Sequence, residues 1–397
     1  MTGVFLPRSW QSRCRYTVEV VIIFCLSNLP DRHTASYRLL ELIALCGELP
    51  ADQLMRLPGG DSYKLTVVKT LKAQKLIHTF YKDSLRGYRL SAKAKNALLL
   101  NDPARFNFSL TGASETNRIK SELTRRLRLH RVAEATVTMK NAGVSIFHDE
   151  KADVFSPLWG NGNELTIPSP SFYNSREIKE IGTSFVKIQG ARSVGALLTQ
   201  DKIFVVYNLG GSLMKWSYKS EMRTKALMKT VLCHERLARQ YTNDAINGLL
   251  LGNSMDLAYE LLVGKACKPY FILDGNYEHF YYLTNDRKGE TLLRLLCSAE
   301  SISRLDDLLM ADLYPDNGSS VLDHDAFDER GSPVMLGYLC DLPRIKRFDT
   351  ALRLHNKPGT IICFDFQAEA LRRYCGRQIA FQTIDFTKFE RRFFEPP

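Results

Sequence analysis

Residues 60–99 read GDSYKLTVVKTLKAQKLIHTFYKDSLRGYRLSAKAKNALL, and this stretch decides how the N-terminal part of the chain folds. Lysines and arginines are dense in it, yet apolar residues recur at helical spacing. At 100° per residue, Leu65, Val68 and Leu71 fall on one stripe. The spacing therefore predicts a helix over residues 62–75 that buries this stripe and exposes its polar side chains.

The segments around this helix complete a recognisable order. SYRLLELIALCGELP (residues 36–50) has apolar residues at helical spacing before a Gly and a Pro, and ADQLMRLPG (51–59) predicts a short second helix. KLIHTFY (75–81) and GYRLS (87–91) predict two strands joined by KDSLRG. Three helices followed by a basic hairpin are the order of a winged helix-turn-helix, which we expect over residues 34–100.

The polar face of the predicted helix and the hairpin carry residue types that suit a nucleic acid. Hydroxyls and lysines reach phosphates or base edges, and a basic hairpin tip can meet the neighbouring backbone. The candidate contacts to double-stranded DNA are Tyr63, Thr66, Lys69, Thr70, Lys82, Arg86, Arg89, Lys93 and Lys95. The alternative is a winged helix that contacts proteins and has a merely solvated basic face.

The composition is compatible with such a partner. The chain has 397 residues, a net charge of +11 and ordinary hydrophobic (45%) and charged (24%) fractions. A basic balance favours a polyanion, although a basic protein without one is an open alternative. The nine cysteines and eight histidines are scattered without a CxxC pair. We therefore expect reduced thiols, a cytoplasmic location, and neither a metal site nor a cofactor.

The first 33 residues do not fit this pattern. Three arginines precede the apolar run of residues 20–26, which superficially suggests a signal peptide. The run is too short to cross a bilayer, Glu19 interrupts it, and no small-residue cleavage site follows. We interpret residues 1–33 as a poorly ordered N-terminal extension, which an upstream start codon would explain, and we expect no membrane partner.

A connector and a long basic helix are predicted over residues 101–143. LLLNDPARFNFSLTGAS (98–114) reads as the connector, and the helix after it ends near Asn141, with Gly143 as its C-cap. Its predicted apolar side comprises Ile119, Leu123, Leu127, Val132 and Val137. Its predicted basic surface comprises Arg118, Lys120, Arg125, Arg126, Arg128 and Arg131. His130 is interpreted as a packed or capping residue. This helix either extends a DNA surface or is a solvated or domain-bridging helix.

Residues 144–397 predict a mixed α/β region, so the fold class is α+β. Predicted strands are VSIFHDE, SFVKIQG, ARSVGALLTQ, DKIFVVYNLG, KPYFILDG and HFYYLTND. Predicted helices are SYKSEMRTKALMKTVLCHERLA and GETLLRLLCSA. Residues 301–333 read as an acidic, partly helical segment, and the C-terminal part reads as strand, helix, strand.

No catalytic motif stands out in this region. Nothing fits a Walker loop, GxSxG or HExxH. Nucleases of the restriction-endonuclease type carry an Asp on one strand and Glu-x-Lys on the next, where the carboxylates hold Mg²⁺. Asp153 or Glu177 could be the first acid, but KIFVVYNLG has no acid in its interior. A degenerate relative of these nucleases or an unrelated α/β domain is therefore expected.

Two other sets of charged residues have plainer interpretations. Glu221 and Lys225 are four apart on a predicted helix and are expected to form a surface ion pair. The acids of DHDAFDE (323–329) only partly resemble a calcium loop and are expected to be a solvated loop. A hypothesis is that this loop folds back over the basic head and limits non-specific DNA binding.

Several motifs resemble uncharacterised proteins of conjugative elements of Gram-positive bacteria from about residue 34 onward. They are SYRLLELIALCGELPADQLMRLPGG, LRGYRLSAKAKNALL, LHRVAEATVTMKNAGVSIF, MKWSYKSEMRTKALMKTVLC, LPRIKRFDTAL and FQTIDFTKFERRFF. The layout is also similar to plasmid replication-relaxation proteins. The resemblance implies a DNA-binding accessory protein of a mobile element, acting in replication, transfer or gene control, with other proteins of the element as further partners. It supplies no catalytic residues. A divergent metal-dependent nuclease and a protein-interaction scaffold are the alternatives.

Overall fold

The computed structural model describes residues 29–157, 166–181, 188, 191–264, 270–273, 275–315 and 323–394. The fold is α+β, with helices and mixed sheets. Contacts divide the chain into two compact units, and each is described by itself. The first unit comprises the chain up to Ala133 together with Phe147–Glu150, and the second comprises Glu134–Ile146 and the chain from Lys151 onward. Most of the extension predicted for residues 1–33 lies outside the described residues.

The first unit begins with helix α1 (Ala35–Cys46), whose N-terminus is capped by Thr34: its hydroxyl accepts a hydrogen bond from the backbone N of Tyr37 at 3.2 Å. Gly47 ends the helix with φ 75°, and a Cβ there would lie 2.8 Å from the Cα of Thr116. A side chain at this position would therefore be both strained and obstructed.

The next elements follow the predicted order with one change. Strand β1 (Glu48–Pro50) and a 3₁₀ segment (Ala51–Arg56) lead into helix α2 (Asp61–Ala73). The predicted second helix is thus a short 3₁₀ turn. The prolines that bracket it, Pro50 and Pro58, explain why no longer α-helix forms here.

Strands β2 (Ile77–Lys82) and β3 (Leu85–Leu90) form an antiparallel hairpin, and β1 pairs with β3 to give a sheet of order β1-β3-β2. The hairpin turn consists of Asp83 and Ser84, both with positive φ, 52° and 61°. Two such residues match the right-handed twist of the flanking strands. The turn is shorter than the predicted KDSLRG because Lys82 and Leu85 still pair.

The predicted connector is helical in its first part. Helices α3 (Ala92–Asn101) and α4 (Pro103–Leu110) fill it, capped by Ser91 and Asp102. Helix α5 (Leu123–Asn141) starts later than expected. It ends as predicted at Gly143, where hydrogen bonds from Gly143 N to Lys140 O and from Val144 N to Met139 O close the last turn.

The second unit contains strands β4 (Ser171–Asn174), β5 (Gly195–Leu198), β6 (Ile203–Gly210), β7 (Ile246–Gly252) and β8 (Phe280–Thr284), and the short helix α6 (Ser175–Ile178) follows β4. The strands form a sheet of order β4-β5-β6-β7-β8. Strand β5 is antiparallel to both of its neighbours, β4 and β6, whereas β6, β7 and β8 are parallel. Parallel neighbours need a crossover. Helix α7 (Tyr218–Met228), continued by a π-helical turn (Lys229–Arg236), and helix α8 (Met255–Val263) supply these crossovers.

A second sheet in this unit comprises β9 (Tyr314–Pro315), β10 (Ala326–Phe327), β11 (Pro333–Leu336), β12 (Gly359–Phe364) and β13 (Ile379–Ile384). The strands lie in the order β13-β12-β11-β10-β9. Strands β11, β12 and β13 are parallel and are joined by α11 (Leu342–His355) and α12 (Asp365–Tyr374). The predicted C-terminal strand, helix and strand are therefore confirmed. Helices α9 (Arg287–Leu296), α10 (Ala299–Met310) and α13 (Phe386–Phe394) complete the unit.

Three strand predictions have other outcomes. VSIFHDE is not a strand: only Ser145 makes a bridge, to Ser171, and a 3₁₀ turn follows at His148–Glu150. In KPYFILDG the described residues contribute one bridge, between Tyr270 and Lys215. SFVKIQG lies almost entirely outside the described residues. Hydrophobicity alone was a poor guide here because isolated apolar residues also fill the core between elements.

Candidate nucleic-acid interface

Helix α2 presents the expected polar side chains to solvent. Tyr63, Thr66, Lys69 and Thr70 are all exposed, and the Tyr63 side chain reaches 55% exposure. The opposite side of the helix packs into the core through buried apolar residues, so these four side chains point towards solvent. The outer face thus combines an aromatic ring, two hydroxyls and an ammonium group, all of which can contact bases or phosphates.

The buried stripe of α2 is rotated from the prediction. Leu65, expected in the core, is 52% exposed, and Val67 is buried together with Val68 and Leu71. Lys64 is buried as well, because its ammonium group donates to the carbonyl of Met55 at 2.7 Å and lies 3.0 Å from the carboxylate of Asp61. A lysine that finds both partners can lie against the core along its aliphatic stem.

The tip of the β2–β3 hairpin carries the exposed cations that were predicted for it. Lys82 and Arg86 are both exposed and lie on either side of the turn. Tyr81 pairs across the strands with Arg86 and is 69% exposed. Tyr81 was not among the residues predicted from the sequence, although its place next to the tip of a predicted hairpin was a usable signal, because a hairpin tip is exposed on both faces.

Of the three remaining predicted contact residues, Arg89 and Lys95 are bound within the fold, and Lys93 is on the surface. Arg89 is buried: it points to the other face of β3 from Arg86, because the two residues are three positions apart. Lys95 is half-buried and donates to the backbone O and side-chain Oδ1 of Asn117 at 2.6 and 3.1 Å. In this structure both side chains are therefore engaged within the fold and not presented on the surface as expected, and their contact with DNA stays a prediction. Lys93 is exposed.

Beneath the hairpin lies a buried charge cluster formed by Glu48, Arg89, Arg126 and His130. Glu48 and the Arg126 side chain are fully buried. Arg89 Nη2 contacts Glu48 Oε2 at 2.6 Å, Arg126 Nη2 contacts Glu48 Oε1 at 2.5 Å, and His130 Nε2 lies 2.8 Å from Oε1. One carboxylate thus serves several partners at once.

The surroundings of Glu48 stabilise its charge. Burial alone would raise the pKa of this carboxyl, but hydrogen bonds from His130, Arg126 and Arg89 outweigh burial and lower the pKa from 4.5 to about 2. The ring of Phe80 lies 3.6 Å from the Arg89 guanidinium and 4.7 Å from that of Arg126. Gly87 is required because a Cβ there would lie 2.4 Å from Glu48 Oε1.

The position of Arg126 corrects the predicted basic surface of α5. Arg126 was expected to be solvated, but it lies on the buried side of the helix with Ala133 and Val137, while Leu123 and Leu127 are about 40% exposed. Positions 126, 133 and 137 share one helical stripe, so the spacing contained the signal. The packed role expected for His130 agrees with its burial and its contact with Glu48.

The candidate nuclease acids in the second unit have structural partners. Glu177 is buried, contacts Lys151 Nζ at 2.6 Å and accepts a hydrogen bond from Asn174 N as part of a capping box. On β6, the polar side chain that faces helix α5 is Asn208, which donates to Glu134 Oε2 at 2.9 Å. Within the described ranges no group of three or more His, Cys, Asp or Glu residues could hold a metal ion.

The other charged sets are more ordered than expected. Glu221 is fully buried and accepts hydrogen bonds from Tyr207 and from the backbone N of Arg192, so it is not a surface residue. In the acidic loop, Asp323 and Asp325 both contact Arg344, at 2.9 and 2.8 Å. The prediction of a merely solvated loop is wrong for these two acids, because arginines of the same unit neutralise them.

Comparisons of the chain with protein-family models, with curated proteins and with solved structures found no match. Among the described residues, no helix combines the length and the apolar character needed to cross a membrane.

Added Mg²⁺ or Mn²⁺ should produce no cleavage of supercoiled or linear DNA. The reason is that β6 carries no acid and that Glu177 is already bound by Lys151 and the Asn174 backbone. Agarose-gel analysis of plasmid incubated with each metal checks this expectation. Metal-dependent nicking that disappears in an Asp153→Asn or Glu177→Gln variant would instead establish a divergent nuclease.

Proposed function

We propose that this chain is a non-enzymatic, double-stranded-DNA-binding accessory protein of a mobile element. The observation that carries the proposal is the exposed polar face of α2 beside a hairpin with cations at its tip. Helix α1, the 3₁₀ segment, helix α2 and a sheet of order β1-β3-β2 agree with a winged helix-turn-helix. In this assignment, α2 enters the major groove and the β2–β3 hairpin is the wing.

The charge distribution supports a phosphate-rich partner. Lys69, Lys82, Arg86 and Lys93 are exposed, whereas Glu48 beneath the hairpin is buried and neutralised by arginines. The exposed acids near these four cations are Asp61, which contacts Lys64, and Asp83 in the hairpin turn. Because the cations outnumber the exposed acids beside them, this surface attracts a polyanion, and a nucleic acid bound there releases its condensed counterions. In the scaffold alternative the partner is a protein, and that protein would need acidic groups placed to meet these same cations.

For the second unit we propose a binding role instead of catalysis. Its β4–β5–β6 meander followed by a crossover to parallel β7 is compatible with a degenerate domain of the restriction-endonuclease type. The hairpin that would carry the acids reads GALL on β5 and IFVVYNLG on β6, so the metal ligands are missing. Another protein of the element, or a second copy of this chain, is the proposed partner. A cytoplasmic location and a role in replication, transfer or gene control follow from the same proposal.

Replacing Lys69 by Ala should weaken duplex binding by roughly 1 kcal/mol, which is about fivefold, because Lys69 contacts a phosphate or base edge in this assignment. Fluorescence anisotropy with a labelled duplex measures the change. Lys357→Ala is the matched control, since it removes the same charge from an exposed position in the second unit. Equal isotherms for wild type and Lys69→Ala would count against α2 as the DNA-reading helix, and absence of binding to any duplex would favour the scaffold.

A further inference from the structure

The Arg126 guanidinium joins the buried cluster to the tip of the hairpin. Its Nη1 donates to the carbonyl of Lys82 at 2.7 Å, and its Nη2 lies 3.1 Å from the carbonyl of Leu85. The same group bonds both carboxylate oxygens of Glu48, with Nε at 3.2 Å from Oε2 and Nη2 at 2.5 Å from Oε1. One side chain of helix α5 therefore contacts the two residues that flank the hairpin turn.

The turn between Lys82 and Leu85 has a backbone conformation that is unfavourable for residues other than glycine. Asp83 and Ser84 both have positive φ, a region that favours glycine and tolerates Asn or Asp better than Ser. Nothing in the local sequence enforces this conformation, because no glycine lies between Lys82 and Leu85. The two hydrogen bonds from Arg126 fix the carbonyls on each side and so define where the turn lies.

We infer that Arg126 is a positioning residue for DNA binding: it holds the hairpin tip so that Lys82 and Arg86 reach phosphates together. The inference rests on the proposed DNA-binding function. The Arg126 side chain is fully buried, so its role is to hold the hairpin tip and not to contact DNA itself. Its planar fork can serve a carboxylate and two carbonyls at once, which a lysine ammonium cannot do with the same geometry. Charge alone therefore does not replace it.

Arg126→Lys is the variant to test, because it keeps the positive charge opposite Glu48 while removing the fork. Its loss of duplex affinity should approach that of the Lys82→Ala/Arg86→Ala double variant, on the order of 60-fold at 0.1 M salt for two phosphate contacts. The slope of log K against log salt should flatten in parallel. Arg223→Lys, which makes the same change at an exposed position of α7 in the second unit, is the matched control and should bind as the wild type does.

A double-mutant cycle separates positioning from a general loss of structure. If Arg126 acts through the tip cations, Arg126→Lys should change affinity by less than about twofold in the Lys82→Ala/Arg86→Ala background. Equal losses in both backgrounds would overturn the inference while leaving DNA binding intact. Should Arg126→Lys fail to fold, Phe80→Leu replaces it in the cycle, since it removes the ring under the Arg126 guanidinium.

Hydrogen exchange distinguishes failure of this inference from failure of the proposed function. Amides of Ser84, Leu85 and Arg86 should exchange faster in Arg126→Lys than in wild type, whether or not DNA is present. Faster exchange with no duplex binding by the wild type would refute the proposed function and, with it, the role in DNA binding. Unchanged exchange in a variant that binds DNA normally would refute the positioning role alone.

Discussion

Replacing Lys82 and Arg86 together by Ala should flatten the dependence of log K on log salt by about two units, because each is expected to neutralise one phosphate of the duplex. At 0.1 M salt the loss of affinity should be on the order of 60-fold if the two proteins bind equally at 1 M. The loss should be similar on specific and random duplexes, since phosphates carry no sequence information. Titrations at four or five salt concentrations measure the slope.

The matched control for this experiment is Lys219→Ala/Arg223→Ala. It removes one lysine and one arginine from exposed positions four residues apart on α7, so the net charge falls by the same amount. A general electrostatic attraction would make the two double variants alike. A slope that is unchanged in Lys82→Ala/Arg86→Ala would mean that the hairpin does not contact DNA, and the basic surface would need another explanation.

Replacing Glu48 by Gln should destabilise the protein by about 3–5 kcal/mol at pH 7, because Arg89 and Arg126 would be left buried without a counter-charge. Chemical denaturation followed by circular dichroism measures the free energy of unfolding. Glu115→Gln in the same unit is the control, since Glu115 is exposed and its replacement should change that free energy little.

The stabilisation by Glu48 should depend on pH in a defined direction. Its pKa is about 2 in the folded protein against 4.5 ordinarily, so the folded state favours the ionised form. The contribution, about 3 kcal/mol, is fully present above pH 4.5 and is lost as the pH falls towards 2. The difference in unfolding free energy between wild type and Glu48→Gln should therefore shrink over that window. A difference that stays constant with pH would show that Glu48 is not ionised in the cluster.

Local periodicity was sufficient to predict much of the secondary structure. The helices near residues 35–46 and 61–73 and the β2–β3 hairpin follow from apolar spacing and from the glycines and prolines between them. The exposure of Tyr63, Thr66, Lys69 and Thr70 on α2, and that of Lys82 and Arg86 on the hairpin, follows from the same patterns. These features depend on neighbours within one or two turns of chain, which a sequence displays directly.

Contacts between residues far apart in the chain decided which of the basic side chains are buried. Whether Arg89 and Arg126 are solvated or buried depends on Glu48, which is 41 and 78 residues away in the chain. No local pattern shows that one carboxylate will meet both guanidinium groups, because burial of a charge is favourable only where its partners converge. The sequence by itself determined the helices and the hairpin of the first unit and the polar side chains that the outer face of α2 offers. Only the tertiary structure decided which cations remain available to a partner, because the others had already been neutralised inside the fold.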